Sequence, residues 1–187
     1  MTKSELNEVW NYYLSIENDL SKTSQYVEPM GQENVYSFEF ARILVLACTE
    51  VESVFKQICF EKTGNEPKND IGSYKAIILK NFPKITQAEV TITRLNKSIR
   101  PFGEWKKSLA WWTAYNNVKH YRIKCFEEAT YMNAATAVAA LYVIIIYLAE
   151  MNGLAVNNHE SKYITSEYGY AHLLCKAGDG LPDFKKD

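Results

Sequence analysis

The sequence predicts an all-α protein, a helical bundle with long second and last helices, and three observations carry that prediction. Apolar residues recur at three- and four-residue intervals over most of the 187 positions. The five prolines, Pro29, Pro67, Pro83, Pro101 and Pro182, all fall between those periodic segments, where a residue without an N–H does least damage. The stretch 129–149 carries no charge and is apolar around its circumference, the pattern of a helix at the centre of a fold. With 47% hydrophobic residues, the chain has enough material for one substantial core and too little for two ordinary domains. We therefore read a single domain over 1–187, with a core at 36–152 and a C-terminal arm at 153–187.

The first helix begins at the capping box Thr2-x-x-Glu5, carries Leu6, Val9, Trp10, Tyr13, Leu14, Glu17 and Leu20 at helical spacing, and should end near Ser21. The second spans about 37–62 and is closed by Gly64, with Phe40, Ile43, Leu44, Ala47, Val51, Val54, Phe55 and Ile58 on one stripe. A shorter helix follows Asp70 as N-cap and runs to about Asn81. The run Val90-Thr-Ile-Thr-Arg-Leu95 alternates apolar and polar residues, which places a small extended or hairpin segment near 89–100. Ser108 is the expected N-cap of a helix over 109–122, and a final helix runs from about Glu128 to Asn152, stopped by Gly153. The arm is punctuated by glycine and polar residues yet includes Tyr163, Ile164, Tyr168, Tyr170, Leu173 and Leu174, so it should pack as an extended segment.

Composition removes several classes. Twenty-five aromatic residues exclude disorder and low complexity. Cys48, Cys59, Cys125 and Cys175 are too far apart for a C-x-x-C pair and have no histidine cluster beside them, which indicates reduced thiols and no metal site. The N-terminus lacks the apolar run of a secretion signal, so the expected compartment is the cytoplasm. The continuous apolar part of the last helix begins near Ala134 and no Lys/Arg cluster flanks it, which favours a buried helix over a membrane span.

Charge is unevenly distributed. The formal net charge of −1 is a cancellation: residues 1–74 carry −6, residues 75–124 carry +9, and residues 125–187 carry −4. A basic middle third is the footprint expected for a phosphate-bearing partner.

That basic segment contains Pro101-Phe-Gly-Glu-Trp105 and Trp111-Trp-Thr-Ala-Tyr-Asn-Asn-Val-Lys-His-Tyr-Arg122. On a helix, Trp111, Tyr115 and Val118 share one face, whereas Thr113, Asn116, Asn117 and His120 form a polar stripe. Lys119 lies beside the stripe, and Arg122 and Lys124 follow it. An imidazole titrating near neutrality can act as general acid or base on a ribose hydroxyl. Neighbouring Lys and Arg can hold the phosphate, and an Asn one turn away can orient the imidazole. Such a set needs neither metal nor cofactor. The same residues also fit a solvated helix face whose histidine bonds a neighbouring carbonyl. Trp105, Trp111 and Trp112 could stack on bases; Trp111 belongs more naturally to the core, and Trp105 fits either role. His159 and His172 have no partner at a telling spacing.

The block Trp111-Trp-x-Ala-Tyr-Asn-x-Val-Lys-His120-x-Arg122, with Pro101-Phe-x-x-Trp105 before it, resembles the HEPN superfamily, in an uncharacterised bacterial branch with a Tyr-Asn-x-Val-Lys-His-x-Arg motif. Ser37-x-Glu39-x-x-x-Ile43-Leu44 with Glu50 and Lys56 resembles its second helix, and the likeness covers roughly 36–150. The resemblance implies a helical bundle that forms a homodimer, with motifs of two chains meeting at the interface. It also implies engagement of RNA or nucleotides, metal-independent endoribonuclease activity in phage defence or toxin–antitoxin systems, and an antitoxin or nucleotidyltransferase partner. Some members are instead non-catalytic dimerisation or partner-binding modules. Carried over by position, Asn116 and His120 match the motif's polar residue and histidine, while the motif arginine is replaced by Tyr115. Lys119, Arg122 or Arg100 would have to supply the missing cation, although Lys lacks the planar two-pronged grip of Arg. Glu50, at the border of its apolar stripe, points either into a cleft with His120 or into solvent.

Overall fold

In the computed structural model, which describes residues 1–157 and 160–166, five helices surround one continuous apolar core and carry a small sheet. Helix α1 is Lys3–Thr23 and starts at the expected capping box: Glu5 N donates to Thr2 Oγ1 at 3.3 Å and Thr2 N to the Glu5 carboxylate at 2.7 Å. It continues two residues past Ser21. Helix α2, Phe38–Thr63, is capped by Ser37 and ended by Gly64 in the left-handed conformation (φ 71°), which glycine adopts without a Cβ penalty. Helix α3, Ile71–Asn81, starts on the side chain of Asp70.

The expected hairpin is present. Strand β1 (Val90–Ile92) pairs antiparallel with β2 (Lys97–Ile99), with Asn96 at φ 47° in the turn. A third strand lies within the arm, where β3 (Ile164–Thr165) pairs with the other edge of β1 to give the order β2-β1-β3. Its two residues are too few for a periodic signal.

Helix α4 is Ala110–Cys125 and α5 is Tyr131–Met151. Two boundaries differ from expectation. Leu109, not Ser108, occupies the N-cap of α4, and no side chain caps that end. Residues 126–128 form a 3₁₀ turn, so α5 begins only after Thr130, whose hydroxyl accepts from Asn133 N. Helix α4 also breaks near its C-terminus, where Tyr121 adopts φ −133°, ψ 34°.

Helix α5 is the axis of the fold. Sixteen of its 21 residues are buried, and 83% of its most apolar window is enclosed by protein. By length and composition alone it could cross a membrane. Its partners, however, are α1, α2, α4 and the sheet. The alanines at 134, 135, 137, 139 and 140 are fully buried, and their small side chains let neighbouring backbones approach.

The arm is held to α1 by a buried carboxylate. Glu17, 5% exposed, accepts from Tyr163 N at 3.0 Å, Ile164 N at 2.9 Å, Ser161 Oγ at 2.6 Å and Tyr13 Oη at 3.0 Å. Trp10 Nε1 donates to Glu160 at 3.0 Å. A buried carboxylate is tolerable only when donors meet it, and these four converge on its Oε1. His159, His172, Cys175, Tyr168, Tyr170, Leu173 and Leu174 lie outside the described residues. Cys48, Cys59 and Cys125 are unpaired thiols.

Candidate functional site

Helices α2 and α4 run antiparallel. Trp112 lies 6.2 Å from Phe55 in ring centroids, while Val118 to Lys124 face Phe38 to Leu46. Between them is a groove of about 790 Å³. Ala41, Val45 and Leu46 of α2 and Val118 of α4 give it an apolar floor. Along the α4 wall stand Lys119, His120, Tyr121, Arg122, Ile123 and Lys124, and Phe38 and Arg42 stand on the α2 wall.

The cations of this groove differ in how they are neutralised. Arg42 is held by Asp19 and Glu39, and hydrogen bonds to those carboxylates push its guanidinium pKa up. Arg94 pairs with Glu28 and Arg100 with Glu89. Of the four arginines in the chain, only Arg122 has no carboxylate partner among the described residues. Among the described residues Lys124 likewise has none. Lys119 donates to Tyr115 Oη at 2.9 Å and sits 5.1 Å from the centroid of that ring. This bond raises its pKa from the ordinary value, so it remains a cation.

His120, Lys119 and Arg122 are therefore together and exposed on one rim. The other predicted residues are placed differently. Asn116 Nδ2 donates to the Trp112 carbonyl at 3.0 Å, closing an i−4 bond within its own helix and leaving His120 without the expected orienting amide. Asn117 instead donates to both Glu128 oxygens, at 2.9 and 3.0 Å. Tyr115 is 1% exposed and belongs to the core, with its hydroxyl serving Lys119.

Arg100 lies after β2 and bonds Glu89 at 3.1 Å; it does not line the groove. Pro101 O receives Trp111 Nε1, so Arg100 sits by the start of α4, about 13 Å of helical rise from the level of His120. Glu50 is one turn beyond Leu46 and does not line the groove either. Burial pushes its carboxyl pKa up, and it has no hydrogen-bond partner among the described residues. Trp105, Trp111 and Trp112 are all buried, which removes them as stacking surfaces.

The groove brings in residues that the sequence reading passed over: Phe38, Tyr121 and Ile123. Phe38 carried a signal, because it follows the N-cap Ser37 yet falls outside the apolar stripe of α2. Tyr121 and Ile123 carried none, since their exposure follows from the break in α4. Among the described residues no cluster of His, Cys, Asp and Glu could hold a metal ion. Chemically, the groove offers unneutralised cations and an exposed imidazole beside apolar and aromatic surface. Comparison of the chain with family models, curated proteins and solved structures gave no significant match.

Proposed function

We propose that this chain is a HEPN-like helical bundle that engages the phosphates of RNA or nucleotides at the α2–α4 groove. The observation that carries this reading is Arg122, the one arginine without a carboxylate partner among the described residues, standing beside Lys119 and Lys124 on a single rim. Unneutralised cations on a groove attract polyanions and release counterions when they bind them. In this reading the protein works in the cytoplasm as a homodimer, beside an antitoxin or nucleotidyltransferase partner, and His120 is the general acid/base of a metal-independent endoribonuclease. Asn116 is not assigned the orienting role, because its amide is committed to Trp112 O.

A second reading is a non-catalytic dimerisation or partner-binding module, and one observation favours it. Ile123 is 99% exposed on the same rim, and together with the exposed Phe38 and Tyr121 it gives the groove an apolar patch of the kind that fits a protein contact. Incubation of purified protein with RNA in EDTA separates the two. Cleavage by the parent and none by a folded His120→Ala variant supports the enzyme. Binding without cleavage leaves a phosphate-binding protein, and absence of both favours the module.

A further inference from the structure

The groove presents aromatic rings as well as cations. Phe38 on the α2 wall is 75% exposed and Tyr121 on the α4 wall is 64% exposed. Phe38 packs on Phe126 with centroids 4.7 Å apart, and Tyr121 stands beside His120 at 6.3 Å. The backbone at Tyr121 is non-helical, and its ring is exposed on the groove wall. An exposed ring on each wall of a groove whose α4 rim carries unneutralised cations matches what an unpaired strand requires, with phosphates on the cations and base faces on the rings. A duplex offers the same phosphates but keeps its base faces stacked internally, so the rings would gain nothing from it.

Resting on the phosphate-binding reading above, we infer that the ligand of this groove is an unpaired polynucleotide strand whose bases stack on Phe38 and Tyr121. The rings supply selectivity for single strands, and Lys119, Arg122 and Lys124 supply charge. The grip needs no base-specific hydrogen bond, so it is tolerant of sequence.

The test is fluorescence anisotropy with the full chain and three labelled probes of about ten nucleotides: single-stranded RNA, single-stranded DNA and duplex RNA. Phe38→Leu and Tyr121→Leu keep apolar bulk and remove the rings at exposed positions, and circular dichroism verifies their folding. The expected result is single-strand binding weakened about tenfold or more by the paired substitutions, with an unchanged salt dependence and unchanged duplex binding. Equal binding of single strand and duplex by the parent, or single-strand binding indifferent to both substitutions, would overturn the inference. Ring-dependent binding of DNA alone upholds the stacking and retires RNA as the ligand. Failure of every probe retires the phosphate-binding reading itself.

Discussion

Asn117 of α4 donates its carboxamide to both oxygens of Glu128, at 2.9 and 3.0 Å, across the break at Tyr121. Glu128 is in turn fixed by its carbonyl, which accepts from Asn133 Nδ2 at 2.9 Å. The pair ties the body of α4 to the start of α5 and so sets how residues 120–124 project. Neither residue lines the groove. Asn117→Ala should therefore weaken RNA binding several-fold while leaving the salt dependence intact, with faster amide exchange over 121–126 as the structural readout. Unchanged exchange there would separate the pair from the rim's geometry.

Glu17 is predicted to be the principal anchor of the arm. Glu17→Ala leaves the N–H groups of Tyr163 and Ile164 without their acceptor in a buried setting, a loss of about 3 kcal/mol. Urea unfolding measures it. Glu17→Gln, which keeps one acceptor oxygen, should cost less.

Glu50 gives a pH-dependent prediction. Burial raises its pKa above that of the unfolded chain, so the ionised carboxylate opposes folding. That penalty is present above the folded-state value and vanishes as pH falls below the unfolded value of about 4.3. Glu50→Gln should melt at a higher temperature than the parent at neutral pH, and the two curves should converge in acid. A constant difference across pH would show that ionisation is not the cause.

Close packing around α5 is testable through its alanines. Ala137 is fully buried, and Ala137→Leu should destabilise the fold by about 1–3 kcal/mol through overpacking. A neutral result in thermal unfolding would mean that space remains beside the helix.

Much of this fold was legible because the signals were local. Thr2, Asp70 and Gly64 each act on backbone groups within a few residues, and each stands where the sequence placed it. Helix α5 was legible from composition, since a helix apolar on every side has to be enclosed. The 90–99 hairpin followed from alternation. What escaped were features set by contacts distant in sequence. Strand β3 exists because β1 has a free edge and Glu17 accepts the adjacent N–H groups. The late start of α5 depends on Thr130 prevailing as cap over the preceding residues. The site divides the same way: the spacing of Lys119, His120 and Arg122 put them on one rim, whereas helical periodicity could not foresee the break at Tyr121. Asn116 illustrates the remaining limit, because spacing places it below His120 but does not say which carbonyl its amide will choose.

The central claim is that the α4 rim is an unneutralised cation site, and the salt dependence of single-stranded RNA binding tests it most directly. With Lys119, Arg122 and Lys124 contacting phosphates, the slope of log K against log salt should be about −2, and Arg122→Ala should flatten it by about 0.7. A slope near zero, or one that Arg122→Ala leaves unchanged, would contradict the account.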